Sequence, residues 1–232
     1  MEKKKATESP NKADRLKTLL KKDAFVEGDI YLRLHRAISW LKVAENKETP
    51  DDIKFITLWI SFNSCYAIDN LAELNQSSRL IERSNIKFFL MKLVEHDSEG
   101  RIYNLLWNRY SSEIRLLLEN KFIFKPFWDL QRGENIDYQN LLEKAIVKAN
   151  KSLSSKQVPE LLELVLERLY TLRNQIFHGG STFMGRANRK QLKDGSSILC
   201  QLVPIFIEIM IEHKEDDWGK VHYPLVEFDL KK

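Results

Sequence analysis

The stretch VPELLELVLERLYTLRNQIFHGG, Val158 to Gly180, decides how this chain is read. Its apolar residues recur at helical spacing as far as Phe177, the pattern of a buried helix. Pro159 falls near the first turn, where its missing N–H costs nothing. Gly179 can supply the left-handed residue that ends a helix. Within this apolar frame stand Arg173 and Asn174, which are costly to bury without partners. His178 follows at the point where the helix opens into a loop, and imidazole is the side chain suited to move protons near neutral pH.

Helical geometry sorts these groups. Asn174 and His178 are four residues apart and share a face. Arg173 lies about 140° from His178 on an ideal helix, but its long side chain can swing toward the same cleft. A guanidinium offers a fixed fork of donors to a phosphate. Gly180 leaves room for a phosphate or a second chain to approach. The plainer reading is an arginine paired with a core acid and a histidine that caps the helix; the residues alone leave both open.

Working outward, the 232 residues suit one domain with a full core. With 8 glycines and 6 prolines against many helix formers, the composition argues against a sandwich or barrel. Net charge is +4, a mild basic lean compatible with nucleic acid but not evidence for it. Cys65 and Cys200 fall inside apolar helical patterns and read as buried thiols, not a disulfide. No apolar segment follows the lysine-rich start. The longest apolar stretches, 55–68 and 198–211, are shorter than the roughly 20 residues a bilayer requires. A cytoplasmic chain without membrane contact is expected.

The expected fold is all-α, a single helical bundle with extra helices. Residues 1–12 read as a flexible tail and 13–232 as the domain. Helices are expected over 13–22, 29–46, 52–71, 78–95, 101–120, 138–153, 158–177 and 196–213, the last kinked at Pro204. Thr49-Pro50-Asp51-Asp52 carries the cap, proline and acids of a helix start. Residues 121–138, rich in Phe and Trp, read as an irregular packed connection inside an insertion or extension over 97–155. Residues 216–232 read as an irregular C-terminal tail.

Further candidates come with plain alternatives. Arg186, Arg189, Lys190 and Lys193 could line an RNA path or simply solvate a helix start. Asn63 could support the Arg173/His178 pair or be a satisfied core amide. Tyr170 could stack a base or belong to the core. His35 reads as a packing or capping group, and His96, His213 and His222 as incidental. No metal-ligand spacing and no phosphate-cradling glycine loop is present, so neither metal nor cofactor is expected.

Several segments together resemble the HEPN superfamily of all-α domains. Leu169–Gly180 (LYTLRNQIFHGG) is similar to its signature of an arginine, a polar residue, a short spacer and a histidine. Leu34–Lys42 (LHRAISWLK) resembles its first core helix. Phe55–Tyr66 (FITLWISFNSCY) resembles the central helix of its Apea-like branch, and Asp194-Gly195, Leu202–Phe206 and Asp217-Trp218-Gly219 are similar to that branch too. The resemblance spans about residues 28 to 226. It implies a homodimeric, metal-independent endoribonuclease with a composite site, which cleaves RNA to leave a 2′,3′-cyclic phosphate. His178 would be the general acid or base, Arg173 the phosphate clamp, and Asn174 would orient His178 or bond the phosphate. Such proteins often act in bacterial defence or toxin–antitoxin pairs, which implies an antitoxin or defence partner. Other members are non-catalytic modules that bind nucleotides or proteins.

Overall fold

A computed structural model describes residues 11–22, 28–68 and 78–224, with side chains in the last segment from residue 84 onward. Among these residues the regular structure is helical, and one isolated antiparallel bridge joins Ile68 to Val221. The fold is all-α, as expected. In chain order the helices are α1 (Lys12–Lys22), α2 (Asp29–Glu45), α3 (Asp51–Tyr66), α4 (Ser78–His96), α5 (Arg101–Asn104), α6 (Ser111–Glu119), α7 (Lys125–Gln131), α8 (Tyr138–Ser154), α9 (Val158–Phe177) and α10 (Arg189–Glu212). Most of the expected flexible tail (1–10), the end of the 52–71 helix (69–71) and the last part of the C-terminal tail (225–232) lie outside the described residues.

The core forms where α3, α9 and α10 meet. Trp59, Phe55 and Phe62 of α3 are fully buried, as are Leu169 and Leu172 of α9 and Phe206 of α10. Trp59 meets Phe62 and Tyr170 edge-on, with ring centres 5.5 and 5.9 Å apart. Gly195 permits the close approach of α10. A Cβ there would lie 2.8 Å from Leu169 and 3.2 Å from Phe55.

Several boundaries differ from the sequence reading, each for a local reason. The third helix, α3, stops at Tyr66, not residue 71, because Arg33 of α2 collects the carbonyls at its end. Its guanidinium donates to the oxygens of Ser64, Cys65 and Ala67 at 3.4, 3.0 and 2.8 Å. It also reaches Gly219 and Lys220 at 3.2 and 3.3 Å. The 101–120 segment is divided: residues 105–109 form a π-helical turn, and Tyr110 breaks the helix as its hydroxyl reaches Ser197. The aromatic connection is not irregular throughout. It holds a 3₁₀ turn over 121–123 and then α7, opened by Pro126.

α10 starts at Arg189, seven residues before the expected position, and runs through Pro204. Proline cannot donate to the carbonyl four residues earlier. That carbonyl, on Cys200, instead accepts from Lys12 Nζ of α1 at 3.2 Å. By length and composition α10 could cross a membrane, yet most of its apolar window is buried within the chain. Both cysteines are free thiols. Burial pushes Cys65 up to about 12.

Arg33 is buried and its acceptors are carbonyls. Replacing it with methionine keeps the volume but strands those oxygens, at a cost of about 2–4 kcal/mol. Chemical unfolding of Arg33→Met should show that loss. Wild-type stability in the variant would mean the carbonyls find other donors.

Candidate functional site

α9 is buried along Leu161–Leu172 and leaves the core in its last turn, so the residues that follow are free to do something other than pack. His178 is the first residue past the helix, with φ −96° and ψ 16°. Gly179 takes the left-handed conformation at φ 70°. The N–H of Gly179 bonds Ile176 O at 3.1 Å and that of Gly180 bonds Gln175 O at 2.6 Å. These two bonds are a Schellman cap. They also account for Gly180: a Cβ there would sit 2.9 Å from Gln175 O. The glycine serves the chain's own turn, where the sequence reading gave it to a phosphate or a second chain.

The polar face of α9 forms one wall of a cavity of about 1040 Å³. Asn174, Gln175 and His178 line it from this side. Phe122, Trp128, Lys125 and Asp129 line it from the 121–131 segment, and Arg186, Arg189 and Lys190 from the loop and the start of α10. His178 is exposed, and its ring makes no hydrogen bond to another described residue.

Gln175, which the sequence reading passed over, holds both flanking walls in place. Its amide donates to Phe122 O, which also accepts from Trp128 Nε1 at 2.7 Å. Its side-chain oxygen accepts from Asn188 Nδ2 at 2.7 Å. The available signal was its place beside Asn174 and three residues before His178 on the same polar stripe.

Arg173 does not line this cavity. Its guanidinium lies over the rings of Phe177 and Tyr170, at 4.4 and 5.8 Å, and donates to Asn174 Oδ1 at 2.9 Å. Its Nε is buried without a partner. No acid caps either Arg173 or His178 among the described residues, so the core ion pair of the plainer reading is not what is found. Within one chain Arg173 and His178 do not come together: Arg173 bonds Asn174, and His178 lines the cavity.

The four basic candidates also separate. Arg189 is committed to the fold: it donates to both carboxylate oxygens of buried Asp52, at 2.7 and 3.3 Å, and to Gly185 O. Hydrogen bonding to Asp52 raises its pKa further. Arg186 and Lys190 are exposed in the cavity wall. Lys193 is exposed but does not line it. Asn63 is half-buried and accepts from Tyr66 Oη at 2.7 Å, and Tyr170 packs against Trp59 with Arg173 on its ring.

Lys125 and Arg132 both pair with buried Asp129. Burial pushes the Asp129 carboxyl up, but these cations outweigh it and the net shift is downward. A carboxyl lowered on folding contributes stability that is complete above its ordinary value of 3.8 and is lost as pH falls through the folded value. Asp129→Asn should therefore lose less stability than wild type between pH 5 and pH 3. Parallel acid-limb melting curves would contradict this.

A scan against protein-family models finds no match, and neither do searches of curated proteins and of solved structures.

Proposed function

We propose that the chain is a metal-independent endoribonuclease of HEPN type that works as a homodimer. The observation that carries this reading is His178: an exposed imidazole with no partner among the described residues, at the edge of a large cavity bearing Arg186, Lys190 and the rings of Phe122 and Trp128. Cations suit a phosphate backbone, and rings suit an unpaired base. In the reaction, a ribose 2′-hydroxyl attacks the adjacent phosphorus and loses its proton to a base. The bond to the 5′-oxygen breaks and that oxygen gains a proton. The products are a 2′,3′-cyclic phosphate and a 5′-hydroxyl. His178 moves one of these protons, Arg173 clamps the phosphate, and Asn174 bonds it beside Arg173.

The need for a second copy follows from Arg173, which in the single chain turns toward Phe177 and away from the cavity. Phe177, Phe183 and Met184 are 47%, 62% and 66% exposed beside the motif and offer an apolar surface for that copy. The other reading is a non-catalytic nucleotide-binding or protein-interaction module. It is favoured by the same stacked Arg173, already engaged by Asn174 and two rings.

Incubation with end-labelled RNA separates them. His178→Ala and Arg173→Ala should each lose about 10²- to 10⁴-fold in cleavage while keeping the wild-type melting temperature. RNA that binds but stays intact with wild-type protein would leave the module reading. In a binding series against salt, Arg186→Ala and Lys190→Ala should each lower the log–log slope by about 1. An unchanged slope would remove them from the RNA path.

A further inference from the structure

The far end of α10 carries a cluster that the ribonuclease reading does not use. His96 closes α4, His213 follows α10, and Asp216 lies in the turn after it. One ligand atom from each lies within 4.8 Å of the other two. His96 Nε2 is 2.7 Å from Asp216 Oδ2. Yet that oxygen is buried and accepts no hydrogen bond, so the ring N–H is not aimed at it. The rings of His96 and His213 are stacked with centres 4.2 Å apart.

The surroundings hold these groups in place. His213 O accepts from Trp218 Nε1 at 2.8 Å and from the Asp216 N–H at 3.2 Å. The Trp218 ring packs on His96 and Phe89, with Lys92 Nζ on it at 4.7 Å. Lys92 also donates to Asp217 O. These contacts fix the backbone of the turn after α10 and one face of the His96 ring.

We propose that His96, His213 and Asp216 bind one divalent transition-metal ion, zinc by its chemistry. Two imidazoles and a carboxylate match zinc and its first-row neighbours, whereas calcium and magnesium favour oxygen alone. Metal–ligand bonds of about 2.0–2.2 Å in a tetrahedron set donors about 3.3 Å apart. Binding therefore draws His213 inward, spreads the 2.7 Å His96–Asp216 contact, and turns the stacked His213 ring so that its lone pair converges. His213 has left helical geometry, with φ −117° and ψ 41°. The fourth position is left to water. At about 1.5 Å per residue, the length of α10 separates this site from the RNA cavity by roughly 36 Å. The ion is a cross-link between the ends of α4 and α10, with no part in cleavage.

His96 and His213, which read as incidental in the sequence, are 117 positions apart (213 minus 96). Calorimetric titration of the chelator-treated full chain with zinc chloride tests the site. One equivalent should bind, the thermal midpoint should rise, and cobalt(II) should give the intense visible bands of a four-coordinate ion. His213→Ala and Asp216→Asn should each weaken binding by about tenfold or more, while His35→Ala, His178→Ala and His222→Ala leave it unchanged. In the unmutated chain, zinc should shift the ring-nitrogen resonances of two of the five histidines, with His96 and His213 assigned by the single variants. No saturable binding, or binding that survives both His96→Ala and His213→Ala, overturns the proposal. RNA cleavage is not read in any of these measurements, so the two proposals stand or fall separately.

Discussion

A guanidinium bonded to backbone carbonyls organises this molecule. Arg33 is enclosed by the end of α3 and by residues 219 and 220, and its donors meet carbonyl dipoles. Burial lowers its pKa, the cost of taking the charge out of water. The negative end of the α3 dipole offsets that cost. Because Arg33 holds these oxygens, the chain leaves α3 extended at Ala67, and Ile68 pairs with Val221. The segment after α10 is thereby returned across the bundle to the end of α4, where Trp218, His96, His213 and Asp216 meet.

The other interior arginines use different partners for the same problem. Arg168 is buried under α6, donates to Leu118 O and lies 4.1 Å from the Phe124 ring. Desolvation brings it down to about 10. Arg189 has a carboxylate, Asp52, and through it joins the loop after the motif to the start of α3. Arg173 has rings and an amide. These distinctions matter for function. A guanidinium fixed by dipoles or by an acid has spent its donors, whereas one resting on rings keeps most of its fork available to a phosphate.

The cavity beside His178 balances opposing charges. Asp129 offsets one of the two charges of Lys125 and Arg132 in one wall, so the field there is weaker than the count of cations suggests. Arg189 is cancelled by Asp52. Arg186 and Lys190 add positive charge that is exposed in the cavity wall. Gln175 keeps the aromatic and basic walls at a fixed spacing by bonding to each. A polar residue with no ionisable group thus shapes the site more than two of the four basic residues nearby.

Periodicity and caps decided much of this protein locally. The all-α class, the course of α2, α8 and α9, and the cap at Gly179 follow from apolar spacing and from which residues tolerate a helix end. The shared face of Asn174 and His178 is likewise a property of a single helix. What the residues could not reveal was set by partners distant in the chain. α3 ends early because of an arginine on α2, and Tyr110 breaks its helix to reach Ser197. Arg173, Arg189 and Lys193, alike as charges in sequence, differ because one found rings, one a buried acid and one an exposed place on the surface. Local order depends on bonds between near neighbours, which a sequence displays. The fate of a charge, and the meeting of His96 with His213, depends on which surfaces the bundle folds together.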